Sequence, residues 1–291
     1  MLTLIRQLAR LPLRLLHAIG SALGWASFLA SSGYRQRFHD HVQRAGVPAA
    51  AVRPAIAHAG RMVGELPFLW LRPPGQPLGA LLRWEGAELL DQALDAGQGL
   101  VLLTPHLGCF EVCAQAYAER CGQRQPLTAL YRPSRTAWLS ELEETARHRP
   151  GLLTAPASLA GVRQMLRALR QGQTVGLLPD QVPPQGMGVW APFFGHPAYT
   201  MTLAARLVQQ TGAAWLLMAC ERLPQGQGFA VHVSRPPEPL PPRPTGRDST
   251  AEEAHQTECA AVINRAMEHL IRQYPGQYLW GYHRYKAPRG A

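Results

Sequence analysis

His106 and Glu111 lie close together in the run Val101-Leu102-Leu103-Thr104-Pro105-His106-Leu107-Gly108-Cys109-Phe110-Glu111, an imidazole and a carboxylate where an apolar segment gives way to a helical one. This pairing suits general-base chemistry: an imidazole accepts a proton near neutral pH, and a carboxylate aims it and stabilises the cation that forms. Gly99 to Thr104 has the length and branching of a buried strand, and Cys109 to Arg120 has helical composition with no breaker. Within one continuous helix the two residues would stand about 140° apart around the axis, too far to cooperate. A break near Pro105 removes that obstacle and predicts His106 at the helix N-terminus, where the dipole favours a neutral imidazole, with Glu111 in the first turns as its partner. The same two residues also suit an ordinary helix start, as a capping histidine and a dipole-matching glutamate, so spacing alone leaves both roles open.

Other reactive residue types are less pointed. Cys109 falls between His106 and Glu111, where it reads either as a nucleophile or as a small apolar filler. The five cysteines at 109, 113, 121, 220 and 259 form no Cys-x2-Cys pair, and an odd number cannot all pair within one chain, so they are expected to be reduced, as in the cytoplasm. His39-Asp40-His41 is a poor metal site, because neighbouring side chains on a helix diverge by about 100°. No metal and no cofactor is expected.

The elements that must position the pair alternate. Helices are predicted over 87–96, 109–120, 136–147, 159–171, 200–210 and 251–273, and strands over 99–104, 127–131, 174–179, 214–220 and 229–234. That alternation predicts an α/β fold, a mixed, largely parallel sheet flanked by helices on both faces. Ligand sites in such sheets lie beyond the carboxyl ends of strands, and His106, Arg132 and Asp180 each follow a predicted strand. Arg132 offers a planar guanidinium for a phosphate or carboxylate, or a salt bridge to Asp180. The segment Val189 to Tyr199, with Phe193 and Phe194 among Pro and Gly, reads as an apolar loop that either closes onto the core or walls an acyl-chain slot.

Residues 1–32 are rich in Leu and Ala, with Ile5, Ile19, Trp25 and Phe28 among them and Arg6, Arg10 and Arg14 on the N-terminal side. They predict a membrane-anchoring helix, with a catalytic domain over 33–291. The stretch from Leu15 to Ala30 is slightly short of the roughly 20 residues that cross a bilayer core, so spanning and interfacial placements both remain open.

Five segments together resemble a known family. They are His106-x4-Glu111, Tyr131-Arg132-Pro133, Leu178-Pro179-Asp180-Gln181, Ala191-Pro192-Phe193-Phe194-Gly195 and Gln277-Tyr278-Leu279-Trp280, and they occur in the family's order. The chain resembles the late acyltransferases of lipid A biosynthesis in Gram-negative bacteria, within the wider lysophospholipid acyltransferase group, over nearly its whole length. The resemblance implies a glycerolipid-acyltransferase-like fold, with His106 and Glu111 as catalytic base and partner. It implies Arg132, Asp180, Gln181, Phe193, Phe194 and Arg284 as substrate-binding residues. It also implies acyl carrier protein as donor, a lipid A precursor or related glycolipid as acceptor, and a monomer on the cytoplasmic face of the inner membrane. The chain departs from the family pattern in two places. Val182 to Val189 has no basic residue, and Tyr282-His283 replace a His and an Arg, which leaves open another glycolipid or aminolipid acceptor, or a non-catalytic lipid-binding module.

Composition agrees with a single globular domain plus an appendage: 291 residues, 46% hydrophobic, with no linker dividing them. The net charge of +10 favours acidic partners. Without zinc-finger spacing, an RNP-like strand or a basic heptad region, nucleic acid is not expected, and anionic lipid and an acidic carrier protein are.

Overall fold

The computed structural model describes residues 2–131, 136, 140, 142, 143, 146, 149–244, 248–288 and 290. Most of the helix predicted over 136–147 lies outside them.

β2 (Leu100–Leu103) reads Leu-Val-Leu-Leu and is buried along its whole length, which requires cover on both faces. It lies at the middle of a seven-stranded sheet containing β1 (Leu82–Glu85), β3 (Leu127–Tyr131), β4 (Leu152–Pro156), β5 (Thr174–Leu177), β8 (Ala214–Arg222) and β9 (Phe229–Ser234). The strand order is β1-β9-β8-β2-β5-β3-β4, and every neighbouring pair is parallel except β8 with β9. The expected mixed, largely parallel sheet is present. Because side chains alternate along a strand, Leu100 and Leu102 enter one core and Val101 and Leu103 the other. The first core is closed by α5 (Pro54–Trp70), α6 (Glu88–Asp95) and α7 (Phe110–Cys121). The second is closed by α8 (Leu159–Arg170), α9 (Leu203–Thr211) and α10 (Ser249–Gln273).

The segment expected to be a loop at 189–199 is an antiparallel hairpin, β6 (Gly188–Phe193) with β7 (His196–Met201). Its turn residues, Phe194 at φ 47° and Gly195 at φ 75°, both take positive φ, the twist that matches a two-residue hairpin. Pro192 and Pro197 face each other across this two-stranded ladder, where each strand has a free edge that tolerates a missing donor.

The N-terminal region forms α1 (Leu2–Leu8), α2 (Leu13–Ala30), α3 (Ser32–Ala45) and α4 (Ala49–Val52). By length and composition α2 is apolar enough to cross a membrane. One face of it nevertheless packs along α5, through Leu16, Gly20 and Gly24. The approach is so close that a Cβ on Gly60 would lie 1.9 Å from the Gly20 carbonyl oxygen, so only glycine fits there. The opposite face carries Leu15, Ile19, Leu23 and Leu29, all exposed.

Candidate active site

β2 and β5 run side by side with Leu103 opposite Leu177, and the Thr104 N–H extends the ladder by donating to the Leu177 carbonyl at 3.1 Å. Both strands then end, and His106 and Asp180 each follow the matched pair by the same number of residues. Parallel register therefore delivers two residues distant in sequence to one point on the carboxyl edge of the sheet.

There Asp180, 1% exposed, binds His106 twice: the backbone N–H of His106 donates to Oδ2 at 2.8 Å, and its ring Nδ1 lies 2.8 Å from Oδ1. Burial by itself would raise the Asp180 carboxyl, but the charge and hydrogen bonds of His106, together with Arg284, outweigh it and hold the group below the usual carboxylate range. An ionised Asp180 accepts and does not donate, so Nδ1 carries a proton, and in the neutral imidazole Nε2 presents a lone pair. The amide nitrogen of Gln181 sits 2.8 Å from that Nε2. The imidazole is flanked by Phe110, its ring centroid 4.7 Å away, and by Tyr282, stacked within 10° of parallel at 6.1 Å. The Tyr282 hydroxyl accepts the Val182 N–H at 2.9 Å and so ties this wall to the segment after Asp180.

Two expectations change here. α7 begins at Phe110, so His106 precedes the helix instead of starting it, and its orientation comes from Asp180, not from the helix dipole. The carboxylate on the imidazole is likewise Asp180 and not Glu111. Glu111 lines the same cleft from the first turn of α7 and accepts from the Trp70 Nε1–H at 3.3 Å. The cleft holds about 470 Å³, with His106, Glu111, Tyr131, Ser158 and Gln181 as its polar residues and Ala114, Leu130, Val162, Met187 and Met201 among its apolar walls. That lining suits a hydrocarbon chain with a polar end at the imidazole.

The remaining predicted residues separate. Arg132 lies outside the described residues. Phe193 and Phe194 are buried in the core against Tyr285 and Trp280 and do not line the cleft. Arg284 is 2% exposed and donates to the Tyr199 carbonyl and the Thr200 hydroxyl, each at 2.7 Å, and to Asn264 at 3.2 Å. It stands behind Asp180 as a buried positive charge, out of reach of a ligand in the cleft. Burial pushes the Cys109 thiol well up, and its place in the core fits a filler and not a nucleophile.

The turn carrying His106 has its own support, which the sequence reading missed. Arg222 at the end of β8 is buried, pairs with the fully buried Glu65 of α5, and donates to the Gly108 carbonyl at 2.8 Å. Arg222 outweighs the burial that would raise Glu65 and keeps it ionised. His17 of α2 adds a 3.0 Å contact to the same carboxylate, so the N-terminal helix connects to the turn carrying His106 through a chain of polar contacts. The Gly108 N–H donates to the Gln277 carbonyl and the Cys109 N–H to the Cys220 carbonyl, at 2.9 and 2.8 Å. A Cβ on Gly108 would meet the Cys220 oxygen at 1.9 Å, and its φ of 57° is left-handed, so this close seating needs glycine. The one sequence signal for this support was a lone glutamate in the otherwise apolar run Leu66-Pro67-Phe68-Leu69-Trp70 that follows it. Among the described residues no group of three or more His, Cys, Asp or Glu side chains could hold a metal ion.

Fold and site together define an α/β protein with a carboxylate-fixed histidine at the mouth of an apolar cleft. The chain belongs to the bacterial lipid A biosynthesis acyltransferases, whose family model matches residues 1–287. It is 26% identical over 215 residues to the lipid A biosynthesis lauroyltransferase of Escherichia coli (strain K12), covering 72% of this chain and 65% of that protein. It is 24% identical over 231 residues to the lipid A biosynthesis palmitoleoyltransferase of the same organism, covering 78% and 68%. It is also 27% identical over 221 residues to the phosphatidylinositol mannoside acyltransferase of Mycobacterium tuberculosis (strain CDC 1551 / Oshkosh), covering 71% and 67%.

Proposed function

We propose that this chain is a membrane-bound O-acyltransferase that moves a fatty acyl group from an acyl carrier protein thioester to a hydroxyl of a lipid A precursor. The observation that carries the reading is the 2.8 Å bond between His106 Nδ1 and Asp180, which turns Nε2 toward an apolar cleft. Nε2 takes the proton of the acceptor hydroxyl as its oxygen attacks the thioester carbon. The C–O bond forms, the C–S bond breaks, and the imidazolium returns the proton to the departing sulfur. Asp180 fixes the tautomer and stabilises the imidazolium. Glu111, on the cleft wall, assists by orienting the acceptor. The N–H groups of Leu107, Gly108 and Cys109 are spent on backbone carbonyls, which leaves the first-turn amides of Phe110 and Glu111 as the helix-start donors for the oxyanion.

Attachment to the cytoplasmic face of the inner membrane is part of this reading, and α2 supports the attachment. Its buried face is committed to α5 and, through His17, to Glu65, while its other face is an unbroken apolar stripe beside Arg6, Arg10 and Arg14. A helix held to its domain along one side lies in the interface with Leu15, Ile19, Leu23 and Leu29 in the acyl region and the arginines among anionic headgroups. The net charge of +10 draws in the acidic carrier and the anionic lipid alike.

A second acceptor class, another glycolipid, is favoured by the mycobacterial relative's name and by Tyr282-His283 in place of a basic pair. Membranes containing the protein, supplied with labelled acyl carrier protein thioester and either a lipid A precursor or a mannosylated phosphoinositide, separate the two. Label in the first, abolished in His106→Ala, supports the main reading; label in the second alone transfers it to the other glycolipid; label in neither sinks acyl transfer to these lipids.

A further inference from the structure

We propose that Gln181 guards the base: its amide holds the Nε2 lone pair of His106 against water until an acceptor hydroxyl displaces it, so that the thioester is transferred and not hydrolysed. This role rests on the acyl-transfer reading of His106.

The geometry begins with the proton on Nδ1. With that proton directed to Asp180, Nε2 can only accept, so the Gln181 end 2.8 Å away is the –NH2 group, donating. The basic nitrogen is therefore engaged by a protein donor. Without Gln181 the same nitrogen would face about 470 Å³ of open space, room for several waters. A water bound at Nε2 is placed for the wrong reaction: Nε2 takes its proton, the water oxygen bonds to the thioester carbon, the C–S bond breaks, and the imidazolium protonates the thiolate. The products are a free fatty acid and a thiol. Water and acceptor hydroxyl thus compete for one lone pair, and the enzyme needs a means of favouring the second.

The surrounding contacts make Gln181 a side-chain latch on a fixed backbone. On one side Asp180 is bound twice to His106; on the other the Val182 N–H is held by the Tyr282 hydroxyl at 2.9 Å. Tyr282 also stacks on the imidazole and so fixes latch and base relative to each other. Among the hydrogen bonds of Gln181, the one to His106 is its side-chain contact, and the residue is exposed, free to rotate about its own bonds without moving the chain. Displacing the amide costs one hydrogen bond. A lipid acceptor offsets that loss with its own hydroxyl and with the methylenes it buries on the cleft wall, whereas water brings only the hydrogen bond. The latch therefore opens to an acceptor and stays shut to solvent.

The test measures free fatty acid released against acyl group transferred, using labelled acyl carrier protein thioester with and without lipid A precursor. Wild type should release little fatty acid when no acceptor is present. Gln181→Ala should raise the ratio of release to transfer about tenfold, the effect expected of losing one hydrogen bond of ordinary to charge-assisted strength. Tyr282→Phe, which keeps the ring and loses the hydroxyl, should raise it by a smaller factor, and His106→Ala should abolish both products in each background. An unchanged ratio in Gln181→Ala, or release and transfer falling in proportion, overturns the guard and leaves Gln181 as a substrate contact. If Gln181→Ala does not fold, an unchanged ratio in Tyr282→Phe overturns it equally. Wild type that yields neither product overturns the acyl-transfer reading itself, an outcome distinct from all of these.

Discussion

His106 and Asp180 occupy equivalent positions beyond two hydrogen-bonded parallel strands, and the register of Leu103 with Leu177 brings Nδ1 and Oδ1 to 2.8 Å. The imidazole is therefore oriented by the sheet and not by the helix that follows it. This has consequences for how the site fails when it is altered.

The support behind the turn should behave as a buried ion pair does. Glu65→Ala leaves Arg222 buried without its carboxylate and is expected to cost about 3–5 kcal/mol, whereas replacing both partners by apolar residues of similar size, Glu65→Leu with Arg222→Met, should cost less than either single change. Denaturant midpoints of Glu65→Leu, Arg222→Met and the double variant check this. A double variant as unstable as the sum of the two singles contradicts the pairing.

Acid should act through Asp180. Its folded pKa is lowered, so it contributes stability that is complete above its unfolded value, near about 4, and is lost as pH falls through the folded value. Unfolding free energy should accordingly decline on acidification below about pH 4, and less steeply in Asp180→Asn. Parallel pH curves for the two proteins would contradict the assignment.

Chain-length choice should follow the cleft walls. Ala129 on β3 lines the cleft, and Ala129→Leu narrows it. If the acyl chain lies there, kcat/KM should drop for longer donors by about fourfold per methylene excluded, with shorter donors spared. A uniform loss across donors would place the chain elsewhere.

Membrane seating should separate from folding. Ile19→Glu with Leu23→Glu, on the exposed face of α2, should release the protein from vesicles of anionic phospholipid and leave its melting temperature close to wild type. Gly24→Leu, on the buried face, should do the reverse, since a Cβ there meets the Ile56 carbonyl oxygen at 2.3 Å. Interfacial binding through this face would be lost with both glutamates, so retention of that variant in the membrane fraction contradicts the interfacial placement.

What was legible in the sequence, and what was not, has physical causes. The central strands were readable because β2 and β5 are short apolar runs between breakers, and His106 because it directly follows one of them. The hydrogen bond of His106 to Asp180 was not legible, since Glu111 is near in sequence while Asp180 is brought close by strand register, which a local pattern does not encode. β6 and β7 were hidden by Pro192, Gly195 and Pro197, residues that usually end strands but suit a two-stranded hairpin with free edges. α2 read as a membrane helix because both its faces are apolar, and the glycines at 20, 24 and 60 were the mark of a protein-packed side. Arg284 and the phenylalanines at 193 and 194 carry a motif's signature yet serve the core, because a motif records which residues recur and not which way they point.

The most direct measurement is a double-mutant cycle on acyl transfer with His106→Ala, Asp180→Ala and the pair combined. If Asp180 acts through His106, each single change lowers kcat by a factor on the order of 10²–10⁴, and the double variant is no slower than the His106 variant alone. Losses that multiply in the double variant would mean that the two residues act independently, and the carboxylate-fixed base would be wrong.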